Sequence, residues 1–257
     1  MNGLADILRL STDLLWLNFI VFLRVGPVMS MFPGFGEQSV PRRVKLVLAL
    51  GFTIVLSPAL ASDLAPMVQN PPPLAWLILT ETGIGLMIGI GIRLFILALQ
   101  TAGSIAAQAT SLSQILGGAS VTPLPAFGHF LVIGGLALAM MLNLHVRVAE
   151  MMVLTYRLFP VAELPDAGSV SMWGVRRIAS SFALAFTLAA PFVIVSVLYN
   201  LTLGIINRAM PQLMVIFVGA PVITATGLIL LMLLAPTMLN IWVQSFASFI
   251  ENPFGGG

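Results

Sequence analysis

Six long apolar stretches alternate along the chain with segments rich in proline, glycine and polar residues. The apolar stretches are Leu14–Met31, Val44–Leu60, Leu74–Leu99, Phe130–Leu144, Ile178–Ile206 and Leu213–Ile250. The segments between them are Phe32–Arg43, Ala61–Pro73, Ser111–Gly128, His145–Arg177 and Asn207–Gln212. Apolar runs of this length are typical of membrane-associated helices, so the pattern predicts an all-α protein.

Two regions are too long for a single membrane crossing. At about 1.5 Å per helical residue, Leu213–Ile250 would reach roughly 57 Å, whereas the hydrocarbon core is about 30 Å thick. Pro221 and Pro236 interrupt this stretch, which predicts a broken helix or a helical hairpin. The proline-free segment Leu74–Leu116 predicts one helix of roughly 65 Å, so part of that helix must lie outside lipid.

The distribution of basic residues conflicts with six simple crossings. Arg42, Arg43 and Lys45 place the first connecting segment in the cytoplasm. Alternate crossing then makes His145–Arg177 external, although it is rich in arginine. Its charged residues are Arg147, Arg157, Arg176 and Arg177, with Glu150, Glu163 and Asp166. Either one stretch is a re-entrant hairpin, or an assembly holds the chain in an unusual topology.

Composition narrows the class of protein further. Of the 257 residues 59% are hydrophobic and 8% charged, the net charge is +2 and the mean hydropathy is +1.06. Soluble domains are about 25% charged, so a soluble single-domain enzyme is excluded. So few basic groups argue against nucleic-acid binding. The absence of cysteine excludes disulfides and thiolate chemistry.

The beginning of the sequence does not have the pattern of a cleaved signal peptide. Asp6 and Asp13 flank Arg9, and no basic region precedes the first apolar stretch. We therefore expect the first helix to remain in the mature protein.

The sequence offers no catalytic or metal-binding constellation. His129 and His145 are the only histidines, and their spacing puts them about 160° apart around a helix, a poor geometry for a shared metal. No G-x-S-x-G motif occurs. These features disfavour an intramembrane hydrolase, and we predict no metal site and no cofactor.

The third apolar stretch continues into a helix with two contrasting faces. Polar side chains that fall within about 80° of one another form a polar stripe: Arg93, Gln100, Ser104, Gln108 and Ser111. Small residues recur on the other side: Ala98, Ala102, Ala106 and Thr110. The small residues favour tight helix packing. The polar stripe fits either a helix that lines an aqueous channel or a polar interface between subunits.

Isolated charges lie inside the apolar stretches at Arg24, Glu81 and Arg93. A charge in hydrocarbon is costly unless it has a partner or water, so these residues predict structural ion pairing. A proton or ion relay is the alternative, but such a relay normally needs several carboxylates at depth, and only Glu81 meets this condition.

Glycines predict one close helix contact and one adaptable loop. Gly85 and Gly89 form a G-x-x-x-G step, which allows a neighbouring backbone to approach. The uncharged segment Gln114–Pro123 contains two glycines and fits either a gate or an ordinary connector.

The segment NRAMPQLMVIFVGAP at Asn207–Pro221 resembles a motif of the FliR family of flagellar biosynthetic proteins. The motif positions are Asn207, Arg208, Pro211, Gln212, Gly219 and Pro221. Earlier residues also fit the family: Arg24, Pro33, Gly36, Pro41, Arg42, Pro58, Gln100–Gly103 and Gln108. The resemblance therefore extends over nearly the whole chain.

The resemblance implies a non-enzymatic subunit of the flagellar type III secretion export gate in the bacterial inner membrane, within the flagellar basal body. FliP-like and FliQ-like subunits would assemble with it into a helical cone, with FlhB-like and FlhA-like proteins at the base. Unfolded rod, hook and filament proteins would pass through its centre. The homologous subunit of a virulence injectisome is an alternative. A secondary transporter of small solutes, with helices broken near Pro191, Pro221 and Pro236, is a less favoured one.

The family also implies a division of the chain and a role for two segments. A FliP-like part would cover about residues 1–175 and a FliQ-like helical hairpin about 176–257, with the gate lifted largely out of the lipid plane. That lift would account for the overlong helices and the charge conflict. The turn Asn207–Gln212 would link the two helices of the hairpin. A loop would form a plug that closes the channel: Gly117, Gly118, Ala119, Ser120, Val121, Thr122 and Pro123.

Overall fold

A computed structural model describes residues 2–37, 40–110, 126–210 and 215–255. Its helices are α1 (Asn2–Met31), α2 (Arg42–Gln69), α3 (Leu74–Ala109), α4 (Ala126–Met141), α5 (Leu144–Leu158), α6 (Ala167–Ala209) and α7 (Val215–Glu251). No strand occurs in these four ranges. The all-α fold predicted from the apolar pattern is therefore confirmed.

Within the described ranges, five helices are long and apolar enough to cross a membrane, namely α1, α2, α3, α6 and α7. The pair α4–α5 bends at its break, as a broken span or a re-entrant loop does. Asn143 lies at this break with φ of 55°, a left-handed conformation that asparagine tolerates better than most residues. The chain is thus a membrane protein in which one apolar stretch is not a simple straight span.

Proline residues do not break the long helices at the positions where the sequence predicts breaks. The break expected within Leu213–Ile250 is absent from the described part of that stretch, because Val215–Glu251 is one helix that includes Pro221 and Pro236. Helix α6 likewise continues through Pro191. In an apolar helix the carbonyls freed by proline can be satisfied by local adjustment and neighbouring helices, so the helix survives.

The connecting segment His145–Arg177 is also more helical than expected. Helix α5 occupies most of its first half, and α6 begins ten residues before its end. Helix α5 alternates charged residues with buried ones such as Val148 and Met152, so its apolar face is too narrow to form a continuous apolar run.

The chain divides into two compact units. The first comprises Met1–Leu94, Asn143–Arg176 and Ser248–Gly257, and the second comprises Phe95–Leu142 and Arg177–Ala247. The predicted division into FliP-like and FliQ-like parts concerns likeness to other proteins and stays a prediction.

In the first unit, α1 packs against both α2 and α3. Ser57 Oγ donates a hydrogen bond to Asn18 Oδ1 over 2.9 Å and joins α2 to α1. A β-carbon on Gly85 would collide with the carbonyl oxygen of Arg24, and one on Gly89 would lie 3.1 Å from Met31 Cβ. The G-x-x-x-G step is therefore where the backbones of α3 and α1 approach closely.

In the second unit, small residues again allow close packing. Ala98, Ala102 and Ala106 on α3 are buried, as is Thr110 directly after it. A β-carbon on Gly103 would collide with the backbone of Gly128 in α4. The fully buried Trp242 of α7 donates its indole N–H to the carbonyl of Phe95 over 2.7 Å.

Candidate functional site

The most unusual local arrangement is a completely buried ion pair between Arg24 of α1 and Glu81 of α3. Arg24 Nε lies 2.8 Å from Glu81 Oε2, and Arg24 Nη2 lies 3.1 Å from Glu81 Oε1. Both side chains have 0% exposure. This two-pronged geometry matches the planar fork of a guanidinium to a carboxylate, the strongest common form of such a pair.

The remaining polar atoms of the pair meet the end of α5 and the loop that follows it. Arg24 Nη1 donates to the carbonyl of Thr155 over 3.0 Å, and Arg24 Nη2 donates to the carbonyl of Phe159 over 2.9 Å. The guanidinium carbon lies 3.9 Å from the centre of the Tyr156 ring. The backbone N–H of Ala162 donates to Glu81 Oε1 over 3.2 Å. We call these residues, Arg24, Glu81, Thr155, Tyr156, Phe159 and Ala162, the arginine cluster.

The chemistry of the arginine cluster is that of a clamp. An arginine side chain stays protonated in proteins, so it cannot pass on a proton. Both carboxylate oxygens of Glu81 accept hydrogen bonds from fixed donors. The cluster therefore joins three helices of the first unit and holds the α5–α6 loop at fixed positions.

Sequence reasoning singled out Arg24 and Glu81 but missed their other partners. Thr155, Phe159 and Ala162 contribute backbone atoms, which leave no signature in the identity of a residue. Ala162 adopts a left-handed φ of 64°, and its carbonyl accepts the indole N–H of Trp76 over 2.8 Å. Neither feature is apparent from an alanine between two apolar stretches.

The predicted polar stripe is divided between the two units. Arg93 lies in the first unit, where its Nη1 is 2.8 Å from Glu37 Oε1 and both side chains are 24% exposed. Gln100 and Ser104 in the second unit are partly exposed, and Gln108 is exposed. Ser111 lies outside the described residues.

Most of the other predicted site residues lie at or beyond the edges of the described ranges. The plug loop Gly117–Pro123 is outside them, as are Pro211 and Gln212 of the signature turn. Asn207 and Arg208 are exposed in the last turn of α6. Gly219 and Pro221 are part of α7.

Neither histidine belongs to a group of metal-binding side chains in the described part of the chain. His129 is exposed on α4, and His145 is partly exposed at the start of α5. Across the four described ranges, no three His, Cys, Asp or Glu residues are placed to hold a metal ion.

Asp166 caps the N-terminus of α6. Its Oδ2 accepts hydrogen bonds from the backbone N–H of Ser169 over 2.8 Å and from the Ser169 hydroxyl over 2.9 Å. These bonds favour the charged form and lower the pKa of the Asp166 carboxyl. The cap therefore contributes to stability at neutral pH and loses its effect as acid protonates the carboxylate.

The family Bacterial export proteins, family 1, matches residues 15–249 of the sequence. The match includes α2 to α6, the last 17 residues of α1 and all but the last two residues of α7. The chain belongs to this family of bacterial export proteins.

Relatives within the family bear a more particular name. The chain is 32% identical to the flagellar biosynthetic protein FliR of Caulobacter vibrioides over 90% of its own length and 93% of that protein. It is 29% identical to FliR of Escherichia coli, over 86% and 85% of the two chains, and 26% identical to FliR of Bacillus subtilis, over 93% of each. The resemblance to FliR drawn from the Asn207–Pro221 motif is confirmed.

Proposed function

We propose that the chain is a non-enzymatic subunit of the flagellar type III export gate, the part of the apparatus through which unfolded rod, hook and filament proteins leave the cytoplasm. The observation that carries this proposal is the family match over residues 15–249, together with relatives named FliR along almost their whole length.

The apolar surface of the chain supports the presence of partner subunits. Helix α6 spans about 65 Å at its 43 residues, more than twice the thickness of a hydrocarbon core. Large apolar side chains remain exposed along it, for example Phe182, Phe186, Ile194 and Leu201. Lipid can cover only part of such a helix, so neighbouring proteins must cover the rest. FliP-like and FliQ-like subunits in one complex, with FlhB-like and FlhA-like proteins at the base, would provide that cover.

The proposed place of the protein is the bacterial inner membrane within the flagellar basal body. Five helices of spanning length and a flagellar export family support this location. Arg42, Arg43 and Lys45 at the start of α2 would lie on the cytoplasmic side by the positive-inside rule.

Purification from its own cells in a mild detergent tests the assembly. We expect a tagged chain expressed at its natural level to retain FliP-like and FliQ-like subunits, identified by mass spectrometry. An unrelated inner-membrane protein with the same tag serves as the control. A tagged chain that purifies without either subunit, although it complements motility, would contradict the proposal.

We further propose that residues 117–123 form the plug of the closed gate. The segment is uncharged and contains Gly117 and Gly118, so it can pack closely within a narrow channel. Deletion of residues 117–120 should leave the complex assembled but make cells leak ions, measured with a membrane-potential dye. The substitution Gly204→Ala, where a β-carbon meets nothing within 4 Å, provides a control without leakage. Unchanged permeability in the deletion strain would show that the loop is only a connector.

A further inference from the structure

Two cavities lie along α1 and α2 in the first unit, and we call them together the groove. It consists of a cavity of about 410 Å³ and another of about 580 Å³, and Phe22 forms part of the wall of both. The first cavity is lined by Gly26, Pro27 and Leu46 among others. The second extends to Leu50 and Ile54 on α2. The walls are apolar along most of this length.

One end of the groove is cationic. Arg42 and Lys45 from the first turn of α2 line the first cavity, together with Ser30 from the end of α1. The Lys45 ammonium donates one hydrogen bond to the carbonyl of Gly36 over 2.8 Å, which leaves two of its three donors for another acceptor. The nearby carboxylate of Glu37 already pairs with Arg93. The positive charge at this end is therefore available to an anion.

The dimensions of the groove match one leaflet of a bilayer. Arg42 and Ile54 are twelve residues apart on α2, which corresponds to about 18 Å along the helix, slightly more than half of the roughly 30 Å hydrocarbon core. A molecule with an anionic head at Arg42 and an apolar tail that ends near Ile54 would fit this distribution of charge and length.

We propose that this groove binds an anionic phospholipid. The phosphate head group lies against Arg42 and Lys45, and one acyl chain follows the apolar walls past Phe22 and Leu50. Basic pockets between membrane helices at the cytoplasmic surface select anionic head groups, because the lysine and arginine charges attract the phosphate. A zwitterionic lipid carries its own compensating cation and gains less from the pair.

Native mass spectrometry of the full-length protein in a neutral detergent tests the head group. Phosphatidylglycerol should bind about tenfold or more tightly than phosphatidylcholine with the same acyl chains. The double substitution Arg42→Gln and Lys45→Gln should remove most of this preference. The matched control, Arg9→Gln with Arg176→Gln, removes the same charge from two exposed residues outside the groove and should preserve it. Circular dichroism checks that all variants remain helical.

A second pair of variants tests the tail. Leu50→Trp fills the apolar half without changing the charge, and should weaken phosphatidylglycerol binding several-fold. Val47→Trp adds the same ring at an exposed position that lines neither cavity and should have no effect.

Three results would overturn the proposal. They are equal binding of the two lipids, unchanged binding in the double glutamine variant, and inorganic phosphate that binds as tightly as the intact lipid. The last result would indicate a simple anion site. The outcome is independent of the export function, which depends on the partner subunits recovered with the tagged chain.

Discussion

At the scale of single residues, the arginine cluster shows how a charge can be kept inside an apolar protein. The guanidinium of Arg24 makes two bonds to Glu81 and two to backbone carbonyls, and Tyr156 covers its face. An isolated buried charge would be very costly, but here each of the three guanidinium nitrogens donates to at least one acceptor. The cluster replaces the hydration shell of the arginine with groups from two other helices, α3 and α5, and from the loop after α5.

Removal of one partner should therefore be expensive. We predict that Glu81→Gln lowers the free energy of unfolding by about 3–5 kcal/mol, because it leaves the positive charge of Arg24 buried without a counter-ion. The measurement is chemical unfolding in a mild detergent.

The surface pair Arg147–Glu251 offers a matched control. Its side chains are 49% and 69% exposed at a separation of 3.2 Å, so Arg147→Gln should cost less than about 1 kcal/mol. Equal losses of stability in the two variants would contradict a special role of the buried cluster.

The sequence is informative about which residues need a partner and much less so about the partner itself. Arg24 and Glu81 stand out because charges are rare in apolar stretches. Their pairing joins residues 57 positions apart, and the second half of the cluster lies more than 130 positions from Arg24. No local periodicity encodes such distances, and the backbone carbonyls involved are common to all residue types.

At the scale of helices, the apolar pattern predicts well where the helices lie in the sequence and poorly where a helix is interrupted. Each apolar stretch coincides with a helix or with the bent pair α4–α5. The breaks predicted at Pro221 and Pro236 are wrong, because both prolines lie within the single helix α7. A long apolar helix can continue through proline where neighbouring helices and local adjustment satisfy the freed carbonyls. The apolar pattern does not predict helix α5, because the charged residues on its exposed face interrupt the apolar run.

The crossing of α1 and α3 provides a prediction at this scale. Gly85→Ala should destabilise the protein by about 1–3 kcal/mol, because its β-carbon meets the rigid backbone carbonyl of Arg24. Thermal unfolding of the purified variant measures the effect.

Gly83, two residues earlier on the same helix, is the matched control. A β-carbon there meets nothing within 4 Å, so Gly83→Ala should be neutral or stabilising by up to about 1 kcal/mol through its better helix propensity. A Gly85 variant as stable as the Gly83 variant would show that the two helices can separate without loss.

At the scale of the whole molecule, the main feature is the amount of apolar surface that the chain does not bury by itself. In the most apolar windows of α2 and α6 only 28% of the residues are buried. A composition that is 59% hydrophobic accounts for this surplus, but it does not distinguish lipid from protein as the cover, since both can present an apolar surface.

Cysteine labelling can distinguish the two, because the natural chain has no cysteine. A single cysteine in place of Phe186, which is 60% exposed, should react with a maleimide when the chain is alone in detergent. In the assembled complex we predict protection from both water-soluble and lipid-soluble reagents. Reaction with the lipid-soluble reagent alone would show that α6 faces lipid. A cysteine in place of the buried Ala189 should stay unreactive throughout.

The arginine cluster also has a consequence for the order in which the chain is made. Arg24 is synthesised 57 residues before Glu81 and 131 residues before Thr155. During synthesis, α1 therefore enters the membrane with a charge whose counter-ion is absent, and α3 completes only half of its coordination. The remaining N–H donors of Arg24 lack their carbonyl acceptors until Phe159 has been synthesised. A nascent chain that stops earlier holds an incompletely bonded cation in an apolar environment, which makes α1 the part most readily released to membrane proteases.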